Sequence, residues 1–532
     1  MKKKLLSLVT PLAFIATLGL GACSGGALGP ADTDKLDVNV KTRGVTISFW
    51  TGFGSKVNEK LTPILDEFQA KTGITVEYES KGGYSNLQTA INLSATKGEY
   101  ANVAVGYPDH FAGYINSNIQ LRLDGLIQND SKRKVVGKDD NGFDVDEDGI
   151  ALLNYDDFYA EYKEENENLE FNEEGVGYKL ALPFNKSSEV MVYNSNFFEW
   201  AATQNDIKDT IFVPKTWAEV KSVGLAIKSF FSTKGIYGKI MYSDGNFYSK
   251  PEDAPEGVKQ VLDMSLVESE ADFHLLSYDS TENLFITLVR QFGGTYTELD
   301  KTQTGKGYAA FNDEAYRAKT LEAMDMYRDL ANNGLVGVPA TYGESLYCST
   351  PFLNCKSLLN VGSTGGLTNV VGSGFTTKAA PIPQNEKDTE HKFVISQGTN
   401  LALFNKGTEA QKVAAWKLMV YLSQQANGLF AAGTGYFPTC KAAYDSEEYQ
   451  EYLTKGFSGD ELLKQEAAKI NSTTYADKEA GWLRFVDPAF RGSSSVRQEV
   501  GYIPGYIISG EIGDNQAILN DVYSKIRDYV RS

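Results

Sequence analysis

Apolar positions recur along the chain with alternating strand-like and helix-like spacing, which predicts an α/β fold. The first part of the chain shows this alternation as a strand at Val45–Trp50, a helix at Lys56–Lys71, a strand at Ile74–Tyr78, a helix at Asn86–Thr96 and a strand at Asn102–Val105. Strands that alternate with helices favour a mostly parallel sheet covered by helices.

One stretch in the middle of the chain, Leu182–Asn194, predicts a strand that crosses between two lobes. Its second half, Glu189–Tyr193, is mostly β-branched, aromatic or apolar, and Pro183 marks a strand start or an edge. The Asn-Lys-Ser-Ser run at 185–188 places hydroxyl groups before the apolar part. Such a strand either offers hydrogen bonds to a ligand in an interlobe cleft or is an ordinary core strand after a loop.

The rest of the chain continues in the same manner. Thr216 and Glu219 form a capping box that begins a helix. The pattern further predicts helices at 280–291, 312–331 and 408–424, a strand at 358–362 that runs into a Gly/Ser turn, a second crossing strand at Lys378–Pro383 and a strand at Gly398–Phe404. Helices fill most of the C-terminal part.

Candidate ligand contacts follow the first predicted strands. Ligands of open α/β sheets bind outside the carboxyl ends of the strands. The side chains that the predicted turns place there are Phe53, Tyr84, Tyr107, Asp109 and His110.

Length and charge limit the classes of protein and partner. The chain has 532 residues, of which 42% are hydrophobic, so two or more domains with a large core are expected. The net charge of −18 argues against nucleic acid or anionic lipid as the main partner. Aromatic residues make up 12% of the chain and supply flat surfaces on which a ligand can stack.

The N-terminal segment predicts export. Three lysines precede the apolar run Leu5–Leu20, and Leu20-Gly-Ala-Cys23 is similar to the bacterial lipobox. The resemblance implies a signal peptide at 1–22, a diacylglycerol on the Cys23 sulfur and a polar tether at 23–43, which would hold the protein at the extracytoplasmic face of the cell membrane. A plain signal peptide with a chance cysteine is the alternative.

The segment Ser131–Tyr178 is acidic and predicts an insertion on the surface of a lobe. Asp144, Asp146 and Asp148, followed by a glycine, have the spacing of a calcium-binding loop, but Tyr155 stands where a bidentate Glu is expected. A solvated acidic loop is the other interpretation.

The remaining cysteines and histidines indicate no metal or cofactor. Export permits a bridge between Cys348 and Cys355 but does not require one. The three histidines lie outside any H-E-x-x-H motif, and neither a G-x-S-x-G elbow nor a phosphate-binding loop is found. A glycosidase with paired carboxylates stays open, because 69 acidic residues give no marked pair.

Several pieces in this order resemble a known family, the family 1 extracellular solute-binding proteins of ABC importers, which include maltodextrin and glycerol-3-phosphate binders. The pieces are the lipobox, Val45–Trp50, Leu182–Asn194, Pro214–Trp217 and Thr434–Tyr444. The resemblance implies a two-lobe, periplasmic-binding-protein-like (type II) fold with crossing hinge strands that closes on a ligand without chemistry. Lobe 1 would comprise 44–184 and 384–432, and lobe 2 would comprise 185–383 and 433–532.

The resemblance also implies ligand contacts. Asp109–Tyr114 is similar to the maltodextrin binder's Asp-Arg-Phe-Gly-Gly-Tyr, whose acidic and basic pair holds sugar hydroxyls. Positions that match contacts in the glycerol-phosphate binder or in both are Tyr84, Ser187, Ser363, Gly398 and Tyr436. That binder has an Arg shortly after a late Pro, whereas Pro504 is followed by Gly505, Tyr506 and Ile507, which puts phosphate binding in doubt.

These observations predict a monomeric carbohydrate receptor that delivers its ligand to the transmembrane subunits of an ABC permease. Phe53, Tyr84, Tyr107 and Tyr436 would supply aromatic faces, although core packing is a rival role for each. Asp109, His110 and Ser187 would bind hydroxyls. A binder of glycerol-3-phosphate or a glycerophosphodiester, and a cell-surface glycoside hydrolase, are the alternatives.

Overall fold

The computed structural model describes residues 32–531, except 140, 301 and 304. The predicted signal peptide and the acylated Cys23 lie outside the described residues. Within the described part, no helix combines the length and the apolar character needed to cross a lipid bilayer.

The described strands and helices confirm the predicted α/β class. The strands are β1 (Thr46–Thr51), β2 (Thr75–Ser80), β3 (Val103–Gly106), β4 (Gly137–Lys138), β5 (Asp144–Val145), β6 (Leu182–Asn194), β7 (Ile240–Tyr242), β8 (Gln260–Asp263), β9 (His274–Tyr278), β10 (Thr297–Leu299), β11 (Gly307–Ala309), β12 (Val336–Gly337), β13 (Ser357–Ser363), β14 (Thr377–Ala380), β15 (Lys392–Leu403) and β16 (Trp482–Phe485). The helices are α1 (Ser55–Thr72), α2 (Tyr84–Ala95), α3 (Pro108–Tyr114), α4 (Asp124–Asp130), α5 (Ala160–Glu167), α6 (Ser195–Thr203), α7 (Trp217–Lys234), α8 (Thr281–Gln291), α9 (Arg317–Asn332), α10 (Ser349–Leu353), α11 (Glu409–Val420), α12 (Asn427–Thr434), α13 (Lys441–Asp445), α14 (Glu447–Thr454), α15 (Gly459–Lys469), α16 (Ser493–Val500), α17 (Ile503–Ser509) and α18 (Asn515–Lys525). The capping box of Thr216 and Glu219 is present at the start of α7.

One sheet runs through the whole molecule in the order β12-β9-β13-β6-β15-β3-β1-β2. Strands β1, β2 and β3 are parallel, while β6 is antiparallel to both β13 and β15. Two separate hydrophobic cores lie along this sheet. The core of lobe 1 contains β1 and β3, and the core of lobe 2 contains β9 and β13.

The two cores end on the same pair of strands. Along β6, Phe184 belongs to the core of lobe 1 and Val190 to that of lobe 2, and along β15 the change falls between Ile395 and Leu401. The crossing segments, 185–189 of β6 and 396–400 of β15, are therefore polar. They pair with each other from Ser396 opposite Ser188 onwards.

The prediction that Lys378–Pro383 is the second crossing strand is wrong. The strand there, β14, pairs with the lobe 2 end of β6, from Asn194 to Met191. The crossing strand is β15, which pairs with β16 at one end and with β3 at the other. Its polar middle interrupts the apolar pattern by which a buried strand is recognised.

Gly398 lies where the two crossing strands come closest. It has a φ of +102°, and a Cβ built on it would lie 1.9 Å from the Asn185 carbonyl oxygen. The pairing shifts by one residue immediately afterwards, between Thr399 and Asn400. Only glycine meets both demands, the positive φ and the close approach of the partner strand.

A buried ion pair links β6 to the acidic segment. Lys186 on β6 pairs with Glu165 of α5, and the exposure of these residues is 0% and 9%. Burial opposes both charges, so it lowers the pKa of Lys186 and raises that of Glu165, and each group opposes this shift in the other. A buried charge of this kind is tolerated only when its partner is present.

Glu189, at the lobe 2 end of the crossing segment, is also buried. Its carboxylate accepts hydrogen bonds from the Tyr278 hydroxyl and from Asn283 Nδ2, the latter at 2.8 Å. Burial raises the pKa of this carboxyl to about 7, against the lowering effect of Tyr278 and Asn283.

Part of the acidic segment packs against lobe 1. Asp146, which is 4% exposed, binds Arg133 Nη1 at 2.8 Å and Lys417 Nζ at 3.0 Å. Lys417 also binds Asp148 at 2.8 Å. Asp144, in contrast, is exposed and pairs with Lys138 at 2.8 Å. Among the described residues, no cluster of three or more possible metal ligands occurs.

Cys348 and Cys355 are free thiols in this structure, and both are buried. Burial raises the pKa of each thiol above its usual range, so neither carries appreciable thiolate at neutral pH.

Replacing Gly398 by Ala is expected to destabilise the protein by an amount on the order of 1–3 kcal/mol, because the new Cβ meets the partner strand at a positive φ. Urea unfolding of the ligand-free protein measures this change. Gly374→Ala is the control, since its Cβ would meet nothing within 4 Å. Equal stability of the two variants would contradict the close approach.

Replacing Glu189 by Gln is expected to change how stability depends on pH. The folded pKa of about 7 lies above the ordinary 4.5, so the folded state holds a proton that the unfolded state has lost, and the free energy of unfolding falls as pH rises through this interval. Without the carboxyl, the fall should be smaller by about 2–3 kcal/mol.

Urea unfolding at a series of pH values between 4.5 and about 7 measures this difference in the free energy of unfolding. The exposed Glu99→Gln serves as the control. Parallel pH profiles for the wild type and Glu189→Gln would mean that Glu189 titrates normally.

Candidate ligand cleft

The lobes face each other across the crossing strands, and their surfaces touch. Helix α3 of lobe 1 packs against α16 of lobe 2. On the β13 side, a Cβ on Gly365 would lie 2.9 Å from the ring of Tyr436, which belongs to the hydrophobic core of lobe 1 although the predicted bounds assign it to lobe 2. An ion pair of 2.9 Å between Glu161 of α5 and Arg484 of β16 bridges the same gap. The structure thus shows the two lobes closed upon the cleft.

The predicted aromatic residues lie together on the lobe 1 side. The ring centroids of Tyr84 and Tyr107 are 5.0 Å apart, and those of Phe53 and Tyr84 are 6.4 Å apart. Phe53 and Tyr436, which are 3% and 8% exposed, also pack on Phe430 of the lobe 1 core. Tyr84 and Tyr107 are only half-buried, so they present the more accessible faces.

Asp109 and His110 begin helix α3, directly after β3. Pro108 occupies the first turn, and the Asp109 carboxylate accepts a 2.9 Å hydrogen bond from the backbone N–H of His110. Burial lowers the pKa of His110, against the opposing effect of Asp109, so the imidazole is neutral at pH 7. The Asp109 side chain keeps 17% of its surface exposed and has acceptor capacity left for a ligand.

Arg497 of α16 is a cleft residue that the sequence did not reveal. Its guanidinium donates a hydrogen bond to the Asn283 side-chain oxygen. Burial opposes its charge, but the carboxylates of Glu282 and Asp109 act with Tyr296 to raise its pKa. Because α16 packs against α3, Arg497 of lobe 2 lies near the helix that bears Asp109.

Arg497 supplies a cation near the late proline, contrary to the expectation from positions 505–507, which carry none. The arginine lies before Pro504, in the preceding helix. In the sequence, Arg497 is only a polar residue next to the buried Val496 and Val500 of an amphipathic helix. An arginine on the solvent-exposed face of such a helix shows the same pattern, so the sequence does not mark Arg497 as a cleft residue.

The crossing strands supply polar groups between the lobes. Asn283 and Gln397 exchange two hydrogen bonds of 2.9 Å, and Asn185 Nδ2 donates to the Tyr84 hydroxyl at 3.3 Å. Ser187 is 5% exposed, and the neighbouring Ser188 hydroxyl has no hydrogen-bond partner among the described residues.

The two remaining predicted contacts occupy different positions. Gly398 lies on β15 opposite Lys186, in the crossing segment. Ser363 ends β13, is half-buried and accepts a 3.2 Å hydrogen bond from the Gly365 backbone. The contact of either residue with a ligand stays a prediction.

The cleft is suited to binding. It combines aromatic faces, a carboxylate, a guanidinium and amides, which are groups that can stack on a ligand and form hydrogen bonds with it. Because the groups come from both lobes, a ligand that touches Asp109 and Arg497 favours the closed arrangement.

Solved structures share this architecture over most of the chain. UgpB from Mycobacterium tuberculosis in complex with glycerophosphocholine has a TM-score of 0.60 at 15% identity, over 91% of this chain and 98% of that one. An ABC substrate-binding protein from Listeria monocytogenes in complex with cycloalternan has a TM-score of 0.61 at 13% identity, over 91% and 98%. MalE from Bdellovibrio bacteriovorus bound to maltotriose has a TM-score of 0.58 at 14% identity, over 91% and 99%. At such identities, these likenesses establish the fold.

No curated protein matches the sequence. A family model described as bacterial extracellular solute-binding protein matches residues 64–455, which is more than half of the chain. That range includes β6, β15, Tyr84, Tyr107 and Asp109. The chain belongs to the bacterial extracellular solute-binding proteins.

Proposed function

We propose that this protein captures a carbohydrate in the interlobe cleft and delivers it, chemically unchanged, to the permease of an ABC importer. The observation that carries the proposal is the packing of α3, which bears Asp109, against α16 of lobe 2, which bears Arg497, beside the paired rings of Tyr84 and Tyr107. Aromatic faces suit the C–H patches of a sugar ring, and planar charged groups bind its hydroxyls in pairs.

The charges around the cleft favour a neutral guest. Glu282 and Asp109 lie near Arg497 and compensate its positive charge. A phosphate dianion placed beside Arg497 would also meet these carboxylates, whereas a neutral polyol accepts and donates hydrogen bonds to both kinds of group.

Closure is a hinge movement about β6 and β15. The crossing segments of β6 and β15 link the two cores, and the chain passes between the cores once more, between Ala443 and Leu463. The ligand biases the equilibrium by binding the closed form more tightly. Support for a sugar ligand also comes from the fold neighbours that were solved with maltotriose and with cycloalternan.

We further propose that acyl chains on Cys23 hold the receptor at the outer face of the cell membrane, as a monomer beside its permease. Anchoring keeps the captured ligand at a high local concentration near the transporter. Mass spectrometry of the protein extracted from membranes would detect the acyl chains, and an unmodified, secreted chain would contradict the anchor.

Asp109→Ala is expected to weaken the binding of the cognate sugar by about 1–3 kcal/mol, because hydroxyls in the closed cleft lose their acceptor. A thermal-shift screen over sugars, polyols and glycerol phosphates first identifies the ligand, since binding to the folded state raises the melting temperature. Calorimetry then measures the affinity of each variant.

The control is Glu99→Ala. The exposed Glu99 side chain precedes the N-terminal end of β3, whereas Asp109 follows its C-terminal end. Unchanged affinity in Asp109→Ala would remove Asp109 from the site. Release of smaller products from oligosaccharides incubated with the purified protein would instead support a glycoside hydrolase.

A glycerophosphodiester is a second candidate ligand, and Arg497 favours it. The guanidinium matches a phosphate in geometry and charge, and the nearby Glu282 and Asp109 suit a cationic head group. The neighbour with glycerophosphocholine shows that this fold accommodates such a ligand.

Arg497→Gln distinguishes the two candidates. Glutamine keeps hydrogen bonds to neutral hydroxyls, so sugar affinity should fall by about 1 kcal/mol or less, whereas a phosphodiester should lose about 1.5–3 kcal/mol with the charge-assisted bonds. Calorimetry with the best sugar of the screen and with glycerophosphocholine gives both numbers. Binding of glycerophosphocholine but of no sugar would overturn the carbohydrate proposal.

A further inference from the structure

Part of the predicted tether, from Thr33 onwards, is docked on lobe 1. The Thr33 hydroxyl donates to the Arg122 carbonyl oxygen at 2.7 Å and accepts from the Leu126 backbone N–H at 3.1 Å. Next along the chain, the Asp34 carbonyl oxygen accepts a 3.0 Å hydrogen bond from the Asn129 side chain. Thr33 is only 1% exposed. The segment therefore follows helix α4 along the surface of lobe 1.

The docked segment reaches the loop 131–138, which follows α4. The Asn39 side chain donates a 3.2 Å hydrogen bond to the Lys132 carbonyl oxygen. Arg133 holds the loop in place, because its guanidinium is buried and binds Asp146 at 2.8 Å. The loop therefore has a defined position beside the docked segment.

The loop presents apolar and basic side chains together. Val135 and Val136 are 45% and 58% exposed, and Lys132 and Lys134 are exposed on the same loop. The loop contains no acidic residue. Apolar side chains beside lysines suit the boundary of a bilayer, where the apolar groups leave water and the ammonium groups meet phosphates.

The chain between the predicted acylation site and lobe 1 is short. Eight residues, 24–31, separate Cys23 from Asp32, and a fully extended chain of this length spans at most about 30 Å. Asp32 is tied to lobe 1, since it pairs with Arg122 at 2.9 Å. Helix α4, which separates Arg122 from the loop 131–138, has seven residues and is about 10 Å long. The loop therefore lies within reach of a bilayer that holds Cys23.

We propose that the loop 131–138 rests on the anionic phospholipid headgroups of the membrane that holds the Cys23 anchor. Its two exposed valines enter the headgroup region, and Lys132 and Lys134 bind phosphates. This inference rests on the proposed lipid anchor. Lobe 1 is then held on the membrane, and lobe 2 is the lobe that moves during closure.

The loop orients the protein on the membrane, while the anchor supplies the affinity. The net charge of −18 opposes binding of the protein as a whole to anionic lipid. Residues 32–43 carry three acidic and three basic residues, and Lys138 pairs with Asp144 at 2.8 Å. The attraction that remains, from two lysines and two valines, is effective because the anchor keeps the loop at a high local concentration of lipid.

Spin labels measure which face of the protein meets the bilayer. The acylated full chain is labelled with a nitroxide at Val136→Cys and reconstituted into liposomes of phosphatidylglycerol and phosphatidylcholine. The native Cys348, Cys355 and Cys440 are buried and stay unlabelled. Relative to a label at the exposed Asp209→Cys of lobe 2, the nitroxide at position 136 should collide more often with oxygen and less often with a water-soluble nickel complex, because it lies in lipid.

Reversal of two charges locates the effect. Lys132→Glu with Lys134→Glu should return the label at position 136 to the accessibility of the control site. Lys208→Glu with Lys250→Glu, the same change of charge on exposed lysines of lobe 2, should leave the label in the bilayer. Water-like access at position 136 in the acylated protein would overturn the inference and leave the anchor standing. A chain that mass spectrometry shows to carry no acyl group would overturn both.

Discussion

The structure depends on the burial of the two polar crossing segments, 185–189 of β6 and 396–400 of β15, between two hydrophobic cores. Neither β6 nor β15 can be apolar where the cores part, because this is where the ligand cleft opens. The crossing is nevertheless almost without solvent, so its groups are paired: the strands bond to each other, Lys186 binds Glu165, and Glu189 binds Tyr278 and Asn283. These pairings favour one defined geometry of the hinge, although the side chains of Ser188 and Asn400 find no hydrogen-bond partner among the described residues.

The chemistry of the cleft follows from that arrangement. Lobe 1 contributes an aromatic surface and Asp109, and lobe 2 contributes Arg497, held by Asn283. Asn283 also binds Glu189 and Gln397 on the crossing strands, so the position of Arg497 is tied to the hinge itself. The proposed ligand contact at Arg497 and the crossing strands therefore belong to one network of hydrogen bonds.

Local pattern was enough to predict much of the fold. The early strand–helix alternation, the crossing strand β6 and the capping box of Thr216 all depend on neighbours in sequence, and all are present. In open α/β sheets, ligands bind outside the carboxyl ends of the strands. This rule predicted that the aromatic residues after the first strands would lie close to Asp109.

What was missed depends on distant partners. The polar middle of β15 is buried because β6 covers it, and Asp146 is paired because Lys417, far along the chain, lies beside it. Arg497 reaches the cleft because α16 packs on α3. The ion pair of Lys186 and Glu165 has a similar origin, and it makes the acidic segment part of the hinge. A related protein without α5 would leave the Lys186 ammonium buried without its carboxylate partner. Loss of α5 therefore requires a neutral residue at position 186 as well.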